Sequence, residues 1–187
     1  MRKLGHIAMS CDLVESSGNH PEWHYQEDIF NILKRYKEGI DLFIAHPPCT
    51  YLANSDVRWL YNKDGSRNED RWSKMFEAAL FFKQLLNTDC EHIVIENPIM
   101  HKHAMDIIGV KPTQIIQPWQ FGHGETKATC LWLKGLPKLE PTDIVDGREQ
   151  KMWKLPPSAD RQKLRSKTYP GIAQAIANQW TNYILNK

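Results

Sequence analysis

The chain has 187 residues, 41% of them hydrophobic and 25% charged, which suits one globular domain with a sizeable core. Its 24 basic and 22 acidic residues leave a net charge of only +2, so bulk charge gives weak support at most for a polyanion partner. No apolar run approaches the roughly 20 residues needed to cross a membrane. The opening MRKLGHIAMSCDL has neither a long apolar core nor a small-residue cleavage site, so a cytoplasmic location is expected.

In chain order, His6–Leu13 reads as a short strand ending at an acid, Asp12, and SSGNHPEW as a loop. EDIFNILKRY predicts a helix with Ile29, Ile32, Leu33 and Tyr36 on one face. DLFIAH is a strand, and YNKDGSRNED is loop-like. Asn68 is placed to cap a helix from Glu69 to Asn87, whose apolar stripe is Trp72, Met75, Phe76, Ala79, Phe82 and Leu86. HIVIEN (His92–Asn97) is the next strand, and MHKHAMDIIG a short helix stopped by Gly109. TQIIQPW and ATCLWL read as two late strands around the turn GHGETK. Residues 134–165 form an irregular basic segment, too short for a separate recognition domain, and GIAQAIANQWTNYIL is a closing helix. The alternation predicts a single α/β domain, 1–187, with a mostly parallel sheet and helices on both faces.

Cys11, Cys49, Cys90 and Cys130 lie far apart, with no CxxC pair and no zinc-like Cys/His spacing, so no metal is expected. His101 and His103 read as chance surface histidines. Residues 148–167 carry Arg148, Lys151, Lys154, Arg161, Lys163, Arg165 and Lys167 against Glu149 and Asp160, a face that suits phosphates or simply solvent. Trp23, Trp59, Tyr61, Trp119 and Trp153 fall in or beside loops, where stacking on bases competes with ordinary core packing.

Open α/β sheets bind ligands at the carboxyl ends of their strands. Asp12, His46-Pro47-Pro48-Cys49 and Glu96-Asn97-Pro98 all fall at such predicted ends. Alone, Cys49 reads as packing material, and Glu96 as a cap or an arginine partner. Together they suit a specific reaction. A pyrimidine resists attack at C5 until a thiolate adds to C6 and turns C5 into a carbanion. That requires a fixed cysteine and an acid at ring N3. The two prolines, with φ locked, would fix Cys49, and Glu96 would supply the acid. The base would have to leave any duplex to reach such a pocket.

IAHPPCTYLANS and VIENP resemble the nucleophile and Glu-Asn motifs of the DNA cytosine-5 methyltransferases. QPWQFGHGETKATCLWL occupies the place of that family's later Gln-x-Arg-x-Arg region, and RSKTYPGIAQAIANQW resembles its final motif and helix. The resemblance runs through nearly the whole chain and points to the small phage and prophage cytosine methyltransferase-like proteins. It implies a Rossmann-like class I methyltransferase fold and a phage-encoded protein working in a bacterial host. It makes Cys49 the nucleophile, Glu96 the residue at the N3 edge and Asn97 its structural partner, with Lys127 standing where an arginine is absent. Pro48, Asn97 and Arg165 would line the substrate. Asp12 would hold the ribose hydroxyls of S-adenosylmethionine, Asp28 its adenine, and Pro47 the shared wall.

The related phage proteins open with a strand and a glycine-bearing turn of the ACEYSG kind. This chain begins at Met1-Arg-Lys-Leu-Gly5, so the first strand and cofactor loop are expected to be missing and S-adenosylmethionine to bind weakly. The expected partner is DNA or a cytosine nucleotide. The competing expectation is a non-catalytic protein on a degenerate methyltransferase fold that binds nucleic acid or a host defence or modification protein. Pairing of two copies along an exposed edge strand would give a homodimer.

Overall fold

The computed structural model describes residues 1–158 and 161–187. Strands β1 (Ser10–Asp12) and β2 (His24–Gln26) pair in parallel as a separate two-stranded sheet. The main sheet contains β3 (Phe43–Ala45), β4 (Ile93–Pro98), β5 (Gln114–Ile116) and β6 (Thr129–Lys134) in the spatial order β3-β4-β6-β5. β3 and β4 are parallel, while β6 runs antiparallel to both its neighbours.

The architecture is α/β and Rossmann-like, but the main sheet is mixed where a mostly parallel one was expected. A parallel return needs a crossover of a dozen or more residues, usually a helix. The segment 117–128 between β5 and β6 offers only the 3-10 turn Pro118–Gln120, so the chain doubles back. β1 begins at Ser10 rather than His6, and β2 lies in a stretch that reads as loop-flanking sequence.

Helices α1 (Ile29–Arg35), α2 (Glu69–Leu86) and α3 (Lys102–Ile108) cover one face of the main sheet, and α6 (Pro170–Leu185) covers the other. The expected irregular segment contains two short helices, α4 (Lys151–Lys154) and α5 (Arg161–Ser166). Asp160 of that segment, and the side chains of Trp153 and Lys163, lie outside the described residues. Among the described residues, no helix is long and apolar enough to cross a membrane.

Strand periodicity sorts the core into two layers. Phe43, Ala45, Ile93, Ile95, Cys130 and Trp132 pack under Met75, Ala79, Phe82 and Leu85 of α2 and Ala104 and Ile108 of α3. Val94, Leu131 and Ile116 pack under Ile172, Ala175, Ile176 and Trp180 of α6. Two expected core residues differ: Tyr36 and Phe76 are 40% and 50% exposed, and Leu85 takes the buried place on α2. Asn68 caps α2 as expected, its side chain accepting from Arg71 N at 3.2 Å. Gly109 ends α3 in the left-handed region, φ 77°.

His101 is 2% exposed, contrary to its reading as a surface histidine. It is the N-cap of α3. Its Nδ1 accepts from Ala104 N at 3.1 Å, and its Nε2–H donates to the Tyr51 carbonyl at 3.0 Å. Its backbone N–H donates to Leu52 O, Asn54 N–H donates to Ile99 O, and Ala53 bridges Met100. The loop after β3 is thereby sewn to the loop after β4. Burial holds the imidazole below its ordinary range, against the opposing pull of the Tyr51 carbonyl.

The folded state therefore keeps His101 neutral, whereas the unfolded chain takes up a proton near pH ~6.5. Below that pH the unfolded state binds more protons, and stability is lost as pH falls. His101→Ala should cost about 1–3 kcal/mol from the lost cap and the unpaired carbonyl. His101→Asn, which keeps a cap that does not titrate, should flatten the fall in melting temperature between pH 7 and 5. Thermal melts of the three proteins across that range provide the check.

Candidate active site

β3 ends at Ala45 and runs directly into His46-Pro47-Pro48-Cys49. Proline fixes two consecutive φ angles here, and Pro47 is buried while Pro48 and Cys49 are exposed. The Asn97 side chain, on a residue 3% exposed, donates from Nδ2 to the Pro47 carbonyl at 2.8 Å. Beyond the prolines the chain turns tightly, the Cys49 carbonyl accepting from Leu52 N and Ala53 N, each at 2.9 Å. Arg71 of α2 donates to the Thr50 carbonyl at 3.1 Å and lies 4.7 Å over the Tyr51 ring.

Glu96 lies one residue before Asn97 on β4 and so points to the opposite face, that of α6. Its side chain is 13% exposed, with Oε2 3.4 Å from His46 Nδ1. The β3–β4 register, extended one step past Ala45–Ile95, sets these two residues opposite each other. Lys127 approaches the same face just before β6. Its Nζ donates to the Lys167 carbonyl at 3.0 Å, its backbone N–H donates to Gln117 Oε1 at 3.0 Å, and its ammonium lies 5.9 Å from the Tyr169 ring centre.

Charge couples these groups. Crowding by protein raises the Cys49 thiol above its ordinary range; Asp56 adds to the rise, while Arg165 and Lys127 oppose it. Desolvation lowers Lys127 against the opposing pull of Glu96 and Cys49, with Arg165 adding to the lowering. Lys127 thus lies within electrostatic reach of Glu96, Cys49 and Arg165, and Arg165 within reach of Cys49. A thiol that adds to an electron-poor double bond and a carboxyl that protonates its far end are the groups such an addition needs.

The segment 117–127 is strapped to the start of α6. Tyr169 Oη donates to Glu125 Oε2 at 2.6 Å, Lys151 Nζ donates to Glu125 Oε1 at 3.1 Å, and Gly171 N–H donates to His123 Nε2 at 3.1 Å. A Cβ at Gly171 would come within 1.9 Å of the Phe121 carbonyl, so only glycine admits this approach. Burial opposes ionisation of Glu125, but the bonds from Tyr169 and Lys151 outweigh it and hold the carboxyl below its usual range. Burial, and then the same carboxylate, push the Tyr169 phenol up. This strap fixes Lys127.

Asp12 and Asp28 come together elsewhere, beside Cys11. Burial raises that thiol, and the charges of Asp12, Glu27 and Asp28 add to the rise. Asp12 Oδ1 accepts from Val14 N at 3.3 Å; Asp28 Oδ1 accepts from Phe30 N at 2.8 Å as the N-cap of α1. Both residues are exposed, and no hydrogen bond of either reaches the Cys49 group. Among the described residues, no cluster of His, Cys, Asp and Glu is arranged to hold a metal, and all four cysteines are free thiols.

Several loop aromatics are paired with arginines: Trp59, 50% exposed, lies under Arg58 at 4.5 Å, Trp119 under Arg148 at 3.9 Å, and Trp23 under Arg2 at 4.2 Å. Tyr61 instead meets His103 Nε2 through its hydroxyl at 3.2 Å. Sequence reasoning placed His46 at the strand end without giving it a role, and it missed Asp56, which lies in the 3-10 turn Asn54–Leu60, where no periodicity points to it.

No family model matches the chain, and no curated protein matches it. A similar solved structure is that of an E. coli protein provisionally described as a DNA modification methyltransferase encoded within a prophage. The two share 14% identity at a TM-score of 0.41, over 82% of this chain and 42% of the other. The chain thus spans less than half the length of that protein, and a likeness at this level assigns neither fold nor function.

The opposing charges at Cys49 give a signed test. Lys127→Met should slow alkylation of Cys49 by iodoacetamide near neutral pH by about two- to tenfold, through a smaller thiolate fraction. Asp56→Asn should accelerate it. Peptide mass spectrometry of alkylation at Cys49 from pH 6 to 10 separates the two effects.

Proposed function

We propose that the chain acts on the pyrimidine ring of an unpaired cytosine, in DNA or a smaller nucleotide, by the chemistry of cytosine-5 methyltransferases. The observation that supports this is that Cys49 and Glu96, which follow and end the neighbouring parallel strands β3 and β4, both act on Lys127. The Cys49 thiolate adds to C6, forming an S–C6 bond. The C5=C6 electron pair moves toward C5 and the ring, and Glu96 gives its proton to N3. Lys127 offsets the thiolate charge before the addition. Arg165, exposed and close enough to act on Cys49, would meet a phosphate of the same nucleotide. Pro48 and Asn97 would border the base. A water molecule or hydroxide from solvent then takes the C5 proton, the C5–H electron pair restores C5=C6 as the C6–S bond breaks, the Cys49 thiolate leaves, and N3 returns its proton to Glu96.

S-adenosylmethionine would supply the methyl group taken up at C5. The acid pair fits its hydroxyl-bearing half, because Asp12 and Asp28 are exposed carboxylates that each commit one oxygen to a local backbone N–H. They would hold the ribose and the adenine respectively, with Pro47 in the intervening wall. The chain would then be a DNA-modifying transferase of phage type.

The addition step is testable without any methyl donor. A carbanion at C5 exchanges with solvent, so a short single-stranded oligonucleotide containing one cytosine should incorporate deuterium at C5 in D2O. Proton NMR would follow the collapse of the H6 doublet. Cys49→Ser should abolish exchange, and Glu96→Gln should slow it by about 10²–10⁴-fold, the usual range for general acid catalysis. Because the Cys49 thiol is raised, the rate should climb with pH above neutrality. No exchange by the wild-type protein, or exchange that survives Cys49→Ser, would overturn the proposal and leave a binding protein on this fold.

A further inference from the structure

Glu96 is mostly buried and His46 is half open to solvent, at 13% and 52% side-chain exposure, with 3.4 Å between Oε2 and Nδ1. Giving up a proton would leave Glu96 as a carboxylate in a largely desolvated place, which is costly without a partner. Among the described residues, Lys127 from the approach to β6 interacts with the charge of Glu96, and one of its ammonium donors is given to the Lys167 carbonyl. Arg165 of α5 acts on Cys49 and Lys127. His46 stands within ion-pair distance of the Glu96 carboxylate and is itself half open to solvent.

We propose that His46 is a positioning residue for Glu96. Its imidazole holds Oε2, leaves Oε1 to meet the ring nitrogen, and carries the compensating charge while Glu96 is ionised. The proposal rests on the cytosine chemistry above and adds to it a residue outside the Cys-Glu pair. Its place is also fixed. Pro47 follows it immediately, and the Pro47 carbonyl is anchored by Asn97, so the imidazole is attached to a stretch of chain that cannot swing away.

The test is C5 deuterium exchange from pH 5.5 to 8.5 by wild type, His46→Ala and His46→Asn, with Cys49→Ser as the blank. The Asn Nδ2 stands where the imidazole Nδ1 stood, so that variant keeps the donor but cannot change charge. His46→Ala should lose up to about a hundredfold in exchange rate, the scale of a small misplacement of a reacting group. His46→Asn, which keeps the donor, should recover much of that loss. If His46→Ala exchanges within about twofold of wild type across the whole range, His46 has no such role, while the cysteine chemistry stands. A wild-type protein that exchanges nothing removes both.

Discussion

The buried amide of Asn97 donates to the carbonyl of Pro47, and the arrangement of the site depends on that bond. β3 and β4 are parallel neighbours, so their carboxyl ends come out on the same edge of the sheet. Adjacent strand ends alone do not fix the two loops that leave them. Asn97 does so at the second residue beyond β3, and the Ala53–Met100 bridge with the His101 cap repeats the tie farther out. A buried hydrogen bond of this kind contributes about 1 kcal/mol net, but leaving its carbonyl unpaired costs more. The loops therefore stay joined because separating them would strand polar groups in a dry place.

The same alternation that turns Asn97 inward turns Glu96 the other way. One residue serves the scaffold and its neighbour serves the pocket, which is why acid and amide occur as consecutive residues. His46 and Lys127 fall on Glu96's face for the same reason, each at strand spacing from a core residue, Ile44 and Leu131. His46, Glu96 and Lys127 thus form a row at the ends of three strands, and the strap beside them is held to the start of α6 by the close approach that Gly171 allows.

Much of this was legible in the sequence, and the failures have identifiable causes. β4, the long helix α2 with its Asn68 cap, the stop at Gly109 and the closing helix followed from periodicity and cap chemistry, which are local. Cys49 and Glu96 stood out because each lies within two residues of a proline at a predicted strand end. The antiparallel course of β6 was not legible, because strand direction is set by how a connection crosses the sheet. β2 was missed because three residues carry too little alternation to be seen. His101 looked like surface because its partner Tyr51 lies fifty residues away in the chain, and its local bond from Ala104 is a cap that histidine seldom provides. The N-cap use of Asp28 is local and was readable, yet it does not prevent the second carboxylate oxygen from serving a ligand.

The electrostatics at Cys49 favour the thiol over the thiolate. Desolvation and Asp56 keep Cys49 protonated, and the nearest countercharges, Lys127 and Arg165, only partly offset them. Lys127 is itself desolvated, so its ammonium is tuned to neighbouring negative charge more than to water. A phosphate arriving beside Arg165 would draw on that cation and change the field at the sulfur. In the proposed reaction, an electron-poor ring beside the thiol and Glu96 would take up the sulfur's electron pair as Glu96 protonates N3. Addition would then be favourable only when base and carboxyl are both in place, because N3 protonation would relieve the negative charge that the thiolate brings to the ring. Such coupling needs the two loops at a constant separation, which is what the Asn97–Pro47 bond provides.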